Sequence, residues 1–234
     1  MKRIVVAALL AALASAARAE SPRWGSFDLS VGNYKPDIDA EFAGTMAGPF
    51  EQAFGTGRGW MFRVGAAKAL FTNAGSLEVG FQTGYHKRTG KALAVDPITQ
   101  TVVGPSGDET TLHIIPTTLT LTYRFDFLAD RYRIPLAPYG RAALERYNWW
   151  VTDGKGSTSR AGATNGWSVT GGLALLLDVF DPDLAREMDN DSGVNHTYLF
   201  FEARKSTIDD FGSSKSWDLS DKNLSYAGGL LFVF

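Results

Sequence analysis

The chain has no cysteine among its 234 residues, which excludes disulfides, thiol catalysis and cysteine-based zinc sites together. It has no basic block, and its formal charge is only −2, so no nucleic-acid partner is expected. Histidine is scarce, with His86, His113 and His196 the full set of three. No stretch reaches the roughly 20 consecutive apolar residues that a membrane-crossing helix needs. A chain like this crosses a membrane only as strands, because only helices and closed barrels satisfy every backbone polar group in lipid.

What the chain does have begins at its N-terminus. Lys2 and Arg3 precede an apolar stretch from Ile4 to Leu13, and Ala17-Arg18-Ala19 follows as an A-x-A pattern. These are the three parts of a secretory signal, so residues 1–19 are expected to be removed before Glu20. Their loss takes Lys2, Arg3 and Arg18 with it and moves the charge from −2 by three units to −5. The remaining residues 20–234 suit one all-β domain.

Eight runs alternate with a period of two, the strand signature, near 24–34, 58–70, 76–87, 110–127, 134–150, 164–178, 194–206 and 222–234. The fourth is clearest: Leu119, Leu121, Tyr123, Phe125 and Phe127 oppose Thr118, Thr120, Thr122, Arg124 and Asp126. A soluble sandwich also alternates, so three further features decide. Aromatics sit near the ends of runs (Trp60, Tyr85, Phe127, Trp149, Trp150 and Trp167), where amphipathic rings suit a membrane interface. The polar face mixes Gly and Ala with charges of both signs. The connections also alternate, with 35–57, 88–109, 151–163 and 207–221 long, and 71–75 and 128–133 short. Outer-membrane barrels sort their external loops from their periplasmic turns in this way. The expected fold is therefore an all-β, eight-stranded antiparallel up-and-down transmembrane barrel.

One connection departs from the sorting. Residues 180–193 are too long for a periplasmic turn and read as a short helix, with Asp181 as N-cap, Pro182 in the first turn and Asp183 at the positive dipole end. Leu184 and Met188 fall on one face of it, and it covers the rim or docks a partner. Asp181-x-Asp183 and Asp189-x-Asp191 lack the glycine and terminal glutamate of a calcium loop, so neither metal nor cofactor is expected.

The last strand ends on an aromatic. Phe234, Phe232, Leu230, Tyr226 and Leu224 share one parity, against Val233, Leu231, Gly229, Ala227, Ser225 and Asn223. In this the chain resembles the small eight-stranded outer-membrane barrels, the OmpA/OmpX/OmpW-like group. Gly229, Phe232 and Phe234 occupy the defined places of that group's closing strand, and Ala227 stands where the group has a polar residue. The resemblance implies a bacterial outer-membrane location and recognition of this strand by the barrel-assembly machinery. It also implies contact with outer-membrane lipid and lipopolysaccharide.

Parity then assigns an inward set of charges: Asp28, Arg63, Glu78, Arg124, Asp126, Arg141, Glu145, Glu202 and Arg204. Eight strands enclose only enough space for side chains to fill, so these groups are expected to pair and plug the lumen. That reading gives a structural or surface-interaction protein, monomeric and not an enzyme, with external ligands met by the loops. A narrow channel or binder of small hydrophobic molecules is the alternative. A lipid A-modifying enzyme is a third reading, but no His lies in a His-x-Ser pairing. His196 and Glu202, six residues apart on a strand, stand about 20 Å from each other. The histidines are expected at the rims or the interface. Loop 35–57 carries Phe42, Met46, Phe50 and Phe54 at a spacing of four and is expected over the mouth or against a partner. Loops 151–163 and 207–221 read as solvated.

Overall fold

β-branched and aromatic residues at alternate positions favour extended chain, and a sheet whose outward face is apolar gains most by closing on itself. The structure, a computed structural model, describes residues 22–42, 48–96, 98, 102–132, 134–213 and 215–234. Residues 1–19, expected to be a secretory signal, and Met46 lie outside the described residues.

The strands are β1 (Gly25–Tyr34), β2 (Gly59–Phe71), β3 (Ser76–Val95), β4 (Val102–Arg124), β5 (Leu136–Asp153), β6 (Thr158–Leu176), β7 (His196–Thr207) and β8 (Ser225–Val233). Each pairs antiparallel with the next, and β8 returns to β1 to close the barrel. The start of β1 and the end of β8 meet at one rim, where Trp24 N and Gly25 N donate to the Phe234 carbonyl at 2.6 and 3.3 Å, and Phe234 N donates to the Gly25 carbonyl at 2.9 Å. We call this the terminal rim and the opposite end the mouth.

Among the described residues three α-helices occupy connections, α1 (Pro49–Phe54), α2 (Phe127–Tyr132) and α3 (Pro182–Ser192), with a 3-10 turn at Ile38–Phe42. α3 carries the features read from its sequence. The Asp181 carboxylate accepts from Leu184 N at 3.1 Å, Pro182 stands in the first turn, and Gly193 ends the helix at φ 72°. No residue of α3 is buried. α2 stands where a short turn was expected, and Phe127 opens it rather than ending a strand. Asp126 likewise follows β4, which stops at Arg124.

Residues 88–95 and 102–109, expected in a loop, are strand. β3 and β4 stay paired through Lys91↔Glu109 to Val95↔Val102, with register shifts beside Lys91 and Ala94. Bulges of this kind absorb the Gly and Pro that made the segment look irregular. Segment 151–163 is likewise mostly strand, closed by a turn in which the Asp153 carboxylate accepts from Lys155 N and Ser157 N at 3.0 and 2.8 Å. β3 to β6 therefore run 20, 23, 18 and 19 residues, while β1, β2, β7 and β8 run 10, 13, 12 and 9. The barrel is tall on one side and low on the other.

The interior is layered. At the terminal rim Ala129, Ala137, Tyr139, Ala174, Leu176, Tyr198, Phe200, Leu231 and Val233 pack together. This layer explains why β7 reads apolar on both faces: Tyr198 and Phe200 point in, while Leu199 and Phe201 point out. At the mouth Tyr34, Met61, Leu112, Ile114, Tyr147 and Trp149 pack with Ile38 and Phe50 from segment 35–57, and with Ile208 and Leu219 from segment 207–221. Burying each such side chain is worth about 1.5–3 kcal/mol. Between the two apolar layers lie the charges.

Candidate functional site: the charged interior

Six of the nine inward charges form one alternating chain. Asp28 faces Arg141 (3.8 Å), Arg141 faces Glu202 (3.5 Å), and Glu202 faces Arg204 (3.2 Å). Arg204 then faces Glu145 (3.4 Å), which faces Arg63 (3.5 Å). The other three form a separate triplet near the terminal rim, with Arg124 between Glu78 (2.9 Å) and Asp126 (3.5 Å). β1 to β5 and β7 contribute, with Asp126 just beyond the end of β4, since inward parity aims alternate side chains of a strand at one axis. Buried charges cost several kcal/mol each unless paired and hydrogen-bonded, and here neutral groups add hydrogen bonds to most of them.

These neutral partners were not singled out in the sequence, although they share strand and parity with the charges. Gln82 donates to both Asp28 oxygens at 2.9 and 3.2 Å. Tyr139 donates to Glu202 at 2.8 Å, and Arg63 donates to the Tyr147 hydroxyl at 2.7 Å. Arg141 Nε donates to Thr122 at 3.0 Å. Ser26 donates to Glu78 at 2.8 Å, while the Ser76 and Ser168 hydroxyls donate to Asp126 and Glu145. Two small interior cavities of about 20 Å³ each are lined in part by Arg63, Tyr147, Glu202 and Arg204 and by Asp28, Glu78, Arg124 and Arg141. Each has room for about one water.

Residues from two connecting segments pack over the mouth. Asp39 caps α1 by accepting from Phe50 N (2.6 Å) and Glu51 N (3.0 Å), which sets Phe50 into the mouth. Phe42 and Phe54 pack partly buried beside it, so the described parts of segment 35–57 lie over the barrel. Segment 207–221 is not a solvated loop: Ile208 and Leu219 are fully buried, and Asp221, also buried, takes Arg58 as a two-pronged partner. Four apolar residues spread among Ser, Asp and Lys hide this from any count of loop composition. The two segments brace each other through Asp37 N to the Ser220 carbonyl (3.0 Å) and Asp218 N to the Glu41 carboxylate.

The histidines divide three ways. His86 is fully buried beneath the mouth rather than at a rim or interface, with Nδ1 donating to the Trp60 carbonyl at 2.8 Å and the ring edge-on to Tyr34. His113 lies on the outer face, bonded to the Tyr85 hydroxyl at 2.7 Å and stacked on Trp150. His196 stands at the terminal rim between Asp178 (2.7 Å) and Arg23 (2.6 Å). None of these contacts sets a serine, threonine or cysteine nucleophile against a histidine base with an acidic orienter. Among the described residues no group of three or more His, Asp or Glu is placed to hold a metal ion.

Of the aromatics assigned to the interface, Trp60, Tyr85 and Trp167 are exposed on the outer face, Trp150 is half-buried there, and Phe127 is half-buried at the head of α2. Trp149 is a correction. Its odd number on β5 puts it on the face of Arg141 and Glu145, so it points inward and is buried. In the closing strand, Gly229 pairs with Ser30 and Phe200, and Phe232 pairs with Phe27 and Thr197.

No family model matches the chain, and no curated protein matches it. Among solved structures it is similar to the attachment invasion locus protein Ail of Yersinia pestis, in complex with the heparin analogue sucrose octasulfate. The TM-score is 0.40 at 10% identity, over 90% of this chain and 99% of that one. It is also similar to the N-terminal β-barrel domain of Pseudomonas aeruginosa OprF, with a TM-score of 0.38 at 12% identity over 91% and 100% of the two chains. A major outer membrane protein of Thermus thermophilus gives 0.39 at 13% identity over 90% and 99%. Scores of this size carry no argument about kinship or activity, and the functional reading rests on the chain's own geometry.

Proposed function

We propose that the protein is an integral barrel of the bacterial outer membrane whose filled, charge-paired interior makes it a structural or surface-interaction protein. One observation carries this reading: the barrel is inside-out relative to a soluble protein. Phe62, Phe81, Leu119, Leu121, Leu144, Val169, Leu199 and Phe201 are exposed on the outer face, while the nine charges lie within. An exposed apolar belt of this extent is unsupportable in water but suits hydrocarbon. In this reading the terminal rim faces the periplasm and the mouth faces outward. Outer-membrane lipid and lipopolysaccharide surround the belt, and Gly229, Phe232 and Phe234 present the closing strand to the barrel-assembly machinery. The monomer meets external ligands through segments 35–57 and 207–221 and through the tall hairpin. Among the described residues no nucleophile–base–acid constellation supports catalysis.

Two measurements test this. The protein should sediment with outer membranes and shift its gel mobility on boiling, because a closed barrel resists detergent until heated. Recovery as a soluble periplasmic protein overturns the reading. Refolded into planar bilayers, it should give no reproducible single-channel steps. Regular steps would overturn the filled interior and favour a narrow channel.

A further inference from the structure

The apolar belt is not evenly covered. Two adjacent cross-strand rows run over β8, β1, β2 and β3: Gly228–Val31–Phe62–Tyr85 and Leu230–Leu29–Val64–Thr83. Gly228 and Thr83 are the small members at opposite corners, and between them the surface sinks into an open groove of about 600 Å³. The Thr83 hydroxyl adds little polarity to the groove, because it donates to the Pro116 carbonyl at 3.1 Å.

The mouth-side end of the groove is different. Tyr85, part of its lining, directs its hydroxyl to His113 Nδ1 at 2.7 Å, and His113 lies flat on Trp150 (centroids 4.9 Å, planes 5° apart). Lys87 is exposed and stands directly opposite His113 in the β3–β4 register. Aromatic rings that are polar at one edge, beside an ammonium group, mark the level where hydrocarbon gives way to head groups.

We propose that this groove holds one acyl chain of an anionic, phosphate-bearing membrane lipid, with its phosphate against Lys87 and the Tyr85–His113–Trp150 cluster. The inference rests on the membrane reading above and adds a preferred lipid at a defined place. A free phosphate has no use for the groove, and an uncharged amphiphile has no use for Lys87. Only a molecule with both parts uses both features.

The test is native mass spectrometry of the refolded full chain, offered equal amounts of dioleoyl phosphatidylglycerol and dioleoyl phosphatidylcholine. One phosphatidylglycerol should be retained in preference. Lys87→Gln should reduce that preference roughly fivefold, the effect of one cation near a lipid surface. Gly228→Leu should abolish retention of both lipids by filling the groove. A Cβ at Gly228 meets only ordinary contacts, the Phe200 carbonyl oxygen at 3.5 Å and a Phe201 ring carbon at 4.0 Å, so this variant is expected to fold, which its heat-modifiable mobility checks. Glycerol phosphate without acyl chains should not displace the lipid. If it does, or if both variants hold lipid as the parent does, the proposal is overturned. Failure of the parent to float with phosphatidylcholine vesicles would instead overturn the membrane reading itself.

Discussion

Trp217, from the segment between β7 and β8, lies flat on Trp149 inside the mouth, with ring centroids 4.1 Å apart and planes 9° apart. Arg160 stands over the outer ring at 5.3 Å. The stack joins a connecting segment to the barrel wall. Trp217→Ala should loosen segment 207–221 by about 1 kcal/mol beyond the area lost. Near-UV circular dichroism should lose the signal of coupled indoles, and proteases should cut the segment faster. An unchanged cutting rate would mean that Ile208 and Leu219 hold the segment without the stack.

Arg124 is the single cation between Glu78 and Asp126. Arg124→Leu leaves both carboxylates facing each other in a closed space, which should cost about 3–5 kcal/mol. Urea titration of the refolded protein in vesicles reads this directly. Replacing Arg63 and Glu145 together by apolar residues of similar volume should cost far less, because no lone charge remains. Equal losses from the two changes would show that packing, not charge, dominates the layer.

Two neighbouring glycines should answer substitution in opposite ways. A Cβ at Gly229 would collide with the Leu29 carbonyl across the closing seam. Gly229→Ala should therefore lower the yield of heat-modifiable barrel and destabilise it by about 1–3 kcal/mol. Gly228→Ala should leave both unchanged. Similar yields from the two variants would contradict the tight β1–β8 approach.

Acid should tighten the cover over the mouth. Burial raises the Asp37 carboxyl above the ordinary carboxylate range, aided by Asp218 and Asp39 and opposed by Lys222 and Lys35. Burial also raises Glu41, aided by Asp218 and opposed by the Asp218 N–H and Arg160. A carboxyl whose pKa is higher in the docked state favours docking while it is protonated, and that preference is lost as pH rises through the raised values. Asp37 is half-buried and Glu41 exposed, so the change in protease sensitivity of segment 35–57 should be on the order of a factor of two. Greater protection at neutral pH than in mild acid would reverse the sign and refute the assignment.

The barrel was legible because its signal is periodic. Alternation through Thr118 to Asp126 and along Glu78 to His86 names the faces, and parity alone brings Arg63, Glu145 and Arg204 to one axis. The mouth was not legible because its signal is sparse. Ile208, Trp217 and Leu219 are isolated among Ser, Asp and Lys, and only a three-dimensional path shows that they converge on Trp149. Trp149 itself was misplaced by its neighbour. Two adjacent tryptophans look like one interface pair, yet a strand must send them to opposite faces. Segment 88–109 hid its strands because Pro105, Gly104 and Gly107 read as breaks, whereas bulges absorb them.

The seam between β1 and β8 differs from the other seven in chain distance. Every other pairing joins consecutive strands, while Ser26↔Val233 to Gly32↔Ala227 joins the first strand to the last. The two strands involved are also the shorter ones, at 10 and 9 residues. Neighbouring hairpins can zip locally, but this contact carries the loop-closure entropy of nearly the whole barrel. The slow step of assembly is therefore expected to be the meeting of these two strands. The sheet that waits for it carries two bare edges, and its fate, closure or aggregation, turns on how soon they find each other.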